Sequence, residues 1–174
     1  MNAPDPLLEQ VYSELRRTAE RKLSEERKDQ TLTPTGLVHE AWLRLMEASV
    51  EWRDVNHFRR LAATAMRRIL IDRARARMAE KRGGGLKRVP LDDIAIPLPE
   101  ERLLALDEAI ARLAQSKPQH AELVELKFFG GLSGEEAATL LGVSAATVDR
   151  MWRYSRSWLQ VAMADSELPS FDVD

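Results

Sequence analysis

The sequence predicts an all-α protein of two small helical domains joined by a flexible linker. Helical periodicity is nearly continuous while strand signals are almost absent, and one segment carries the spacing of a helix-turn-helix. A stretch rich in glycine and proline separates the two halves. The charge is divided between them as well. Arg59 to Arg88 holds eleven basic residues against two acidic ones, a balance of +9. Glu101 to Asp174 holds seven against twelve, a balance of −5, hidden within a whole-chain charge of −2. Blocks of basic charge at that density usually face phosphates.

A first helix is expected over Leu7 to Arg27, with Leu8, Val11, Leu15, Ala19 and Leu23 along one side. Asp29 to Pro34 breaks it, because the residue before a proline avoids the α region. A second helix is expected from Thr35 to about Ala48, with Leu37, Val38, Ala41, Trp42 and Leu45 as its apolar stripe. After the loop Ser49 to Asn56, a long helix runs from about His57 to Lys81. Phe58, Leu61, Ala62, Ala65 and Ile69 form its buried stripe, and Arg60, Arg67, Arg68, Arg75 and Arg82 fall on another side. These elements make a first domain over 1–82.

Residues 83–100 read as the linker: the run from Arg82 to Glu101 has three glycines, three prolines and no period. The second domain is expected over 101–165. Its first helix carries Leu103, Leu106, Ile110 and Leu113 and stops before Pro118. A short apolar helix over Leu123 to Phe129 is closed by Gly130 and Gly131. Residues 166–174 form an acidic tail without pattern, expected to be disordered.

Leu132 to Leu159 holds the helix-turn-helix. Counting twenty positions with Gly142 at the ninth, Ala138 falls where two helices cross too closely for a larger side chain. Leu141, Val143, Val148 and Met151 fall where the core between the helices is sealed. Gly142 sits in the turn, where a positive φ is expected. Ser144 follows as the N-cap of the second helix. Such a unit normally lays that helix in the DNA major groove.

Several chemistries find no support. There is no cysteine, hence no disulfide framework, no Cys-based zinc site and no thiol nucleophile. His39, His57 and His120 are scattered, so neither a metal nor another cofactor is expected. Gly83 to Gly85 follows a basic helix and precedes no Gly-Lys-Ser/Thr, unlike a phosphate loop. Ser133 and Ser144 stand at helix starts, as caps and not nucleophiles. A binding protein, not an enzyme, is expected. With no signal-peptide plan and no run of about eighteen apolar residues, it is expected in the cytoplasm.

At this point the chain resembles bacterial RNA polymerase sigma factors of the extracytoplasmic-function (ECF) class over nearly its whole length. The first half is similar to sigma region 2 through LVHEAWLRLM, Leu37 to Met46, and HFRRLAATAMRRILIDRARAR, His57 to Arg77. The second is similar to region 4 through ERLLALDEAIARL and LVELKFFGGLSGEEAATLLGVSAATV. TLTPTGLVHEAWLRL together with RRILIDRARAR and RGGG resembles a subgroup with some members linked to serine/threonine protein kinases.

The resemblance implies a protein that binds core RNA polymerase and directs it to promoters. Region 2 would dock on the β′ clamp helices and open the minus-ten element, and region 4 would sit on the β flap and read the minus-thirty-five element. Carried over by position, the polymerase contacts are His39, Glu40, Leu43 and Arg44, with Asp54 in the following loop as a fixed negative charge. Arg68 matches the position that reads a base of the melted strand, with Arg67 beside it, and Asp72, Arg75 and Arg77 continue toward upstream DNA. In the recognition helix Ser144, Thr147, Arg150 and Arg153 are the expected DNA contacts, with Arg156 further along. Ala145, Ala146 and Asp149 depart from the basic or polar residues that relatives place there. Alanine contacts only a thymine methyl, and a carboxylate accepts from cytosine or is repelled by phosphate. The expected partners are core polymerase and promoter DNA, with an anti-sigma factor or a Ser/Thr kinase pathway as further candidates and no membrane. A free-standing helix-turn-helix regulator remains the alternative, and an antagonist module that uses no DNA a more distant one.

Overall fold

The structure, a computed structural model, describes residues 34–47, 54–82 and 100–163, together with Ser13 and Arg16. The described residues form six helices and no strand. They are α1 (Pro34–Glu47), α2 (Val55–Arg82), α3 (Glu100–Ser116), α4 (Pro118–Phe128), α5 (Gly134–Leu141) and α6 (Ala145–Ala162). Ser13 and Arg16 are helical and exposed. The rest of the predicted first helix, nearly all of the predicted linker and the acidic tail lie outside the described residues, as does most of the loop before α2. Glu100, placed at the end of the linker by sequence, is the first residue of α3.

Each helix has a local reason to begin or end where it does. Asp54 starts α2: its carboxylate accepts the His57 backbone N–H at 2.8 Å, which satisfies an otherwise orphaned donor. Pro118 opens α4, where a missing N–H costs nothing. This puts the start of α4 five residues before Leu123, where sequence reasoning began it, because the first turn of α4 is mostly polar. Ser133 and Glu136 form a reciprocal capping box on α5, with bonds of 3.2 and 2.7 Å. Ser144 caps α6, its hydroxyl accepting the Thr147 N–H at 3.2 Å.

The largest of three core clusters runs from α1 to the end of α6. Leu37, Val38, Ala41 and Leu45 of α1 pack on Phe58, Ala62, Ala65 and Ile69 of α2, and Trp42 tilts against Phe58 at 5.7 Å. The same cluster runs on through Met66, Leu70, Ile71 and Ala74 to Leu103, Leu106, Ile110 and Leu113 of α3, and reaches Leu159 and Met163 at the end of α6. Helix α2 is therefore buried along two stripes, only the first of which sequence periodicity identified. Leu61, expected in that stripe, is half-buried at its margin.

Ala63, on α2, is fully buried in a separate cluster with Leu126, Leu132 and Leu140 of the second half. Gly130 makes this approach close. A Cβ there would stand 3.2 Å from the Ala63 Cβ, a tight contact, and 2.6 Å from the Leu126 carbonyl oxygen, closer than a real Cβ comes.

The helix-turn-helix has its own small core of Leu123, Ala137, Ala138, Val148 and Met151, flanked by Leu141 and Val143. Between its helices Gly142 has φ 68° and ψ 32°, and its N–H is directed at the Ala138 and Thr139 carbonyls. Nothing surrounds the position where a Cβ would go, so the demand for glycine is conformational and not steric. Gly142→Ala is expected to lower stability by about 1–2 kcal/mol, the left-handed penalty of an L-residue. Gly142→Asn should lose less. Denaturant unfolding of both variants measures this.

Candidate nucleic-acid and polymerase interfaces

Helix α6 presents its first turns to solvent because Val148, Met151, Ser155 and Leu159 face inward. Ser144, Ala145, Ala146, Asp149, Arg150 and Arg153 are exposed, and Thr147 and Arg156 half-buried. The Ser144 and Thr147 hydroxyls lie 2.9 Å apart, and Arg150 donates to the Thr147 hydroxyl at 3.3 Å. Ser144 is thus occupied as a cap, and its hydroxyl is one member of a small polar cluster with Thr147 and Arg150. Of the predicted contacts, Ser144, Thr147 and Arg150 gather at the start of α6, and Arg153 is exposed about one turn further along. The two alanines lie among them.

Behind this face α6 is held by its aromatic residues. Lys127 of α4 lies over the Trp152 ring at 5.1 Å, and Arg112 of α3 over Trp158 at 5.8 Å. Lys117 lies over Tyr154 at 4.9 Å, and His120 meets the same ring edge-on at 5.1 Å. Burial, and secondarily the Lys117 charge, lowers the His120 pKa from its ordinary 6.5.

On α1, His39, Leu43, Arg44 and Met46 are exposed, with Leu43 and Met46 at 46% and 40%. Two large apolar side chains one turn apart thus flank the predicted polymerase contacts. Met46 was not singled out from the sequence, although it stands three residues after Leu43. Glu40 is half-buried and bridges two arginines, Arg44 at 3.1 Å and Arg73 of α2. Its ion pairs fix α1 to α2. Asp54 is exposed and acts as the cap described above.

The arginines of α2 are divided in an unexpected way. Arg68 is exposed and makes no ion pair among the described residues. Arg67 turns instead toward the second half. Its Nε and Nη2 lie 2.8 and 2.7 Å from Asp107 Oδ1, and Nη2 also donates to the Asp107 carbonyl at 3.1 Å. Its Nη1 donates to Glu125 Oε2 at 2.8 Å, while the Thr64 hydroxyl donates to the other oxygen of Glu125 at 2.5 Å. The three charged side chains are only 17–20% exposed.

More exposed pairs surround this centre. Arg60 reaches Glu122 at 2.9 Å and the Leu140 carbonyl at 2.7 Å. Arg75 approaches Asp107 at 3.5 Å, and Arg77 approaches Glu100 at 3.4 Å. A cleft of about 310 Å³, lined by Arg60, Thr64, Arg67, Glu122 and Glu125 among others, lies along the same seam. Arg67, expected beside Arg68 as a DNA contact, is in this structure paired with Asp107 and Glu125 instead. Sequence reasoning missed Asp107, Glu122 and Glu125, whose signal was the acidic excess of the second half.

Among the described residues no group of His, Cys, Asp and Glu side chains could hold a metal ion, and no helix is long and apolar enough to cross a membrane.

The described residues, all helices and their connections, set a capped helix-turn-helix beside an arginine-rich helix, an arrangement of the kind found in helical DNA-binding proteins. Residues 1–165 match the family model of the ECF sigma factors, and the chain belongs to that family. No curated protein and no solved structure matched the chain. ECF sigma factors are DNA-binding, non-enzymatic transcription-initiation factors that act with RNA polymerase at promoters.

The His120 environment sets a pH dependence. Above 6.5 the imidazole is neutral folded and unfolded, so it leaves stability unchanged. As pH falls below 6.5, the unfolded chain takes up a proton that the folded one resists, and stability declines. His120→Gln should flatten this decline above the carboxylate range, which begins below about pH 5. Thermal melts across that window check it.

Proposed function

We propose that this protein binds core RNA polymerase through α1, and that α2 and α6 contact the minus-ten and minus-thirty-five elements. Membership of the ECF family over residues 1–165 carries this reading. Two exposed faces support it. On α1, Leu43 and Met46 with His39 and Arg44 offer an apolar centre with a polar rim, the usual anatomy of a docking site. On α6, Thr147, Arg150 and Arg153 accompany the Ser144 cap at the helix start. In this reading the chain works as a polymerase-docking, minus-ten unit over 1–82 and a minus-thirty-five unit over 101–165, with 83–100 as the connection.

Minus-thirty-five recognition is correspondingly thin. Ala145, Ala146 and Asp149 are all exposed, so few side chains meet base edges as donors. Contacts to thymine methyls and to phosphate carry what specificity there is. The deciding experiment is run-off transcription by core polymerase plus this protein on its own genomic DNA, with start sites mapped. Promoter-dependent transcripts are expected. Operator binding by the protein alone, without such transcripts, would favour a free-standing regulator.

Arg68 is the base-reading residue in this scheme. Its side chain is outside the core, so Arg68→Ala should leave folding and polymerase binding intact and reduce open-complex formation. The expected loss is about 1–3 kcal/mol, with relaxed preference at one position. Permanganate footprinting alongside polymerase co-migration separates the two effects.

The kinase-associated subgroup is part of the same reading. In this chain no Ser or Thr lies between Val50 and Arg60, and Asp54 already carries charge. Binding to core polymerase is therefore expected without phosphorylation. Because Asp54 caps α2, Asp54→Ala and Asp54→Lys should both lose about 1 kcal/mol of stability. An additional loss of polymerase affinity in the lysine variant would mark a docking charge, measured by comparing binding of the two folded variants.

A further inference from the structure

We propose that Arg73 of α2 is a positioning residue for polymerase docking: through Glu40 it holds α1 at the rotation that presents Leu43 and Met46. The inference rests on the reading of α1 as the polymerase-docking helix given above. It moves Glu40 from the contacts to the support behind them. Glu40 Oε2 accepts from Arg73 Nη2, and Oε1 accepts from Arg44 Nη2 at 3.1 Å. Arg44 also reaches Asp72 at 3.5 Å, so the formal charges of these four side chains cancel. A cationic surface approaching α1 meets a carboxylate already bonded at both oxygens and offset by its neighbours. Such a group adds little attraction of its own.

What the pair supplies is direction. Leu37, Val38, Ala41 and Leu45 hold α1 on α2 by apolar burial, a force without a preferred angle. A guanidinium–carboxylate bond has one. Glu40, Leu43 and Met46 belong to one helix and turn together about its axis, so tying down the first sets where the other two point. Arg73 is suited to be the anchor. Its side chain is only 15% exposed, and its Nη1 is buried without a hydrogen-bond partner. Losing Glu40 would strand a charge that already lacks one bond.

The test is binding of the full-length chain to core RNA polymerase without DNA, for wild type, Glu40→Gln, Arg73→Met and the double variant. Thermal melts by circular dichroism first set a temperature at which each is folded. Since the chain has no native cysteine, spin labels at Glu47→Cys and Ala79→Cys, both exposed, report how α1 lies on α2. Each single variant is expected to bind about tenfold more weakly, and the double variant no more weakly than the worse single, because the two losses are one interaction. Arg73→Lys keeps the charge but not the planar fork and should fall between. The label distance should shift or broaden in the same variants. If Arg73→Met does not fold, Arg73→Lys and the double variant, in which no charge is stranded, carry the comparison.

Losses that add in the double variant make Glu40 a direct contact and overturn the positioning role. A lowered melting temperature with unchanged affinity in the folded variants makes Arg73 purely structural and overturns it as well. If the wild-type chain does not bind core polymerase, the docking reading of α1 fails first, and this inference falls with it.

Discussion

The packing of α2 on two sides is the constraint on which the remaining architecture depends. One stripe of this helix is covered by α1, the other by α3, and Ala63 is covered from the helix-turn-helix side. Covering only the first would expose Met66, Leu70, Ile71 and Ala74, all now buried. The burial of these side chains is the non-directional driving force for joining the halves. Arg67, set among them, decides their orientation. Its partners are 40 and 58 residues away, so a single guanidinium ties both α3 and α4 to α2.

The ion pairs at the seam are unequal in weight. Arg60 with Glu122 and Arg75 with Asp107 involve side chains up to 63% exposed, and such pairs contribute about 0–1 kcal/mol. Arg67 is different because it and both carboxylates are largely withdrawn from water. Their net contribution is reduced by desolvation, yet loss of one partner strands a charge. That asymmetry makes the centre a device for register more than for stability. It also explains how a chain with a whole-molecule charge near neutral can hold +9 in one segment without the segments repelling their surroundings.

Helical character, the bounds of α1 and α2 to within two residues, the stop before Pro118 and the turn at Gly142 were all legible in the sequence. Each is a local matter of periodicity, proline or caps. The Ser144 cap and the inward set Ala138, Val148 and Met151 were legible for the same reason. What the sequence hid is long-range. The second stripe of α2, Met66, Leu70, Ile71 and Ala74, is interrupted along the chain by Arg67, Arg68 and Arg73 and so shows no clean apolar period. The partners of Arg67 belong to other helices, and no spacing rule connects them. Of the expected site residues, Arg68, Leu43 and the start of α6 are exposed as anticipated. Arg67 and Glu40 have partners that reading one helix at a time could not supply.

Gly130 and Ala63 meet at a close crossing, where a Cβ on Gly130 would press on the Ala63 side chain. No volume at this point can be exchanged from one residue to the other, since Gly130 is bounded by the Leu126 carbonyl as well. Added volume at either residue has to be met by moving α2 away from the turn after α4, so the crossing sets the distance at which the two halves meet.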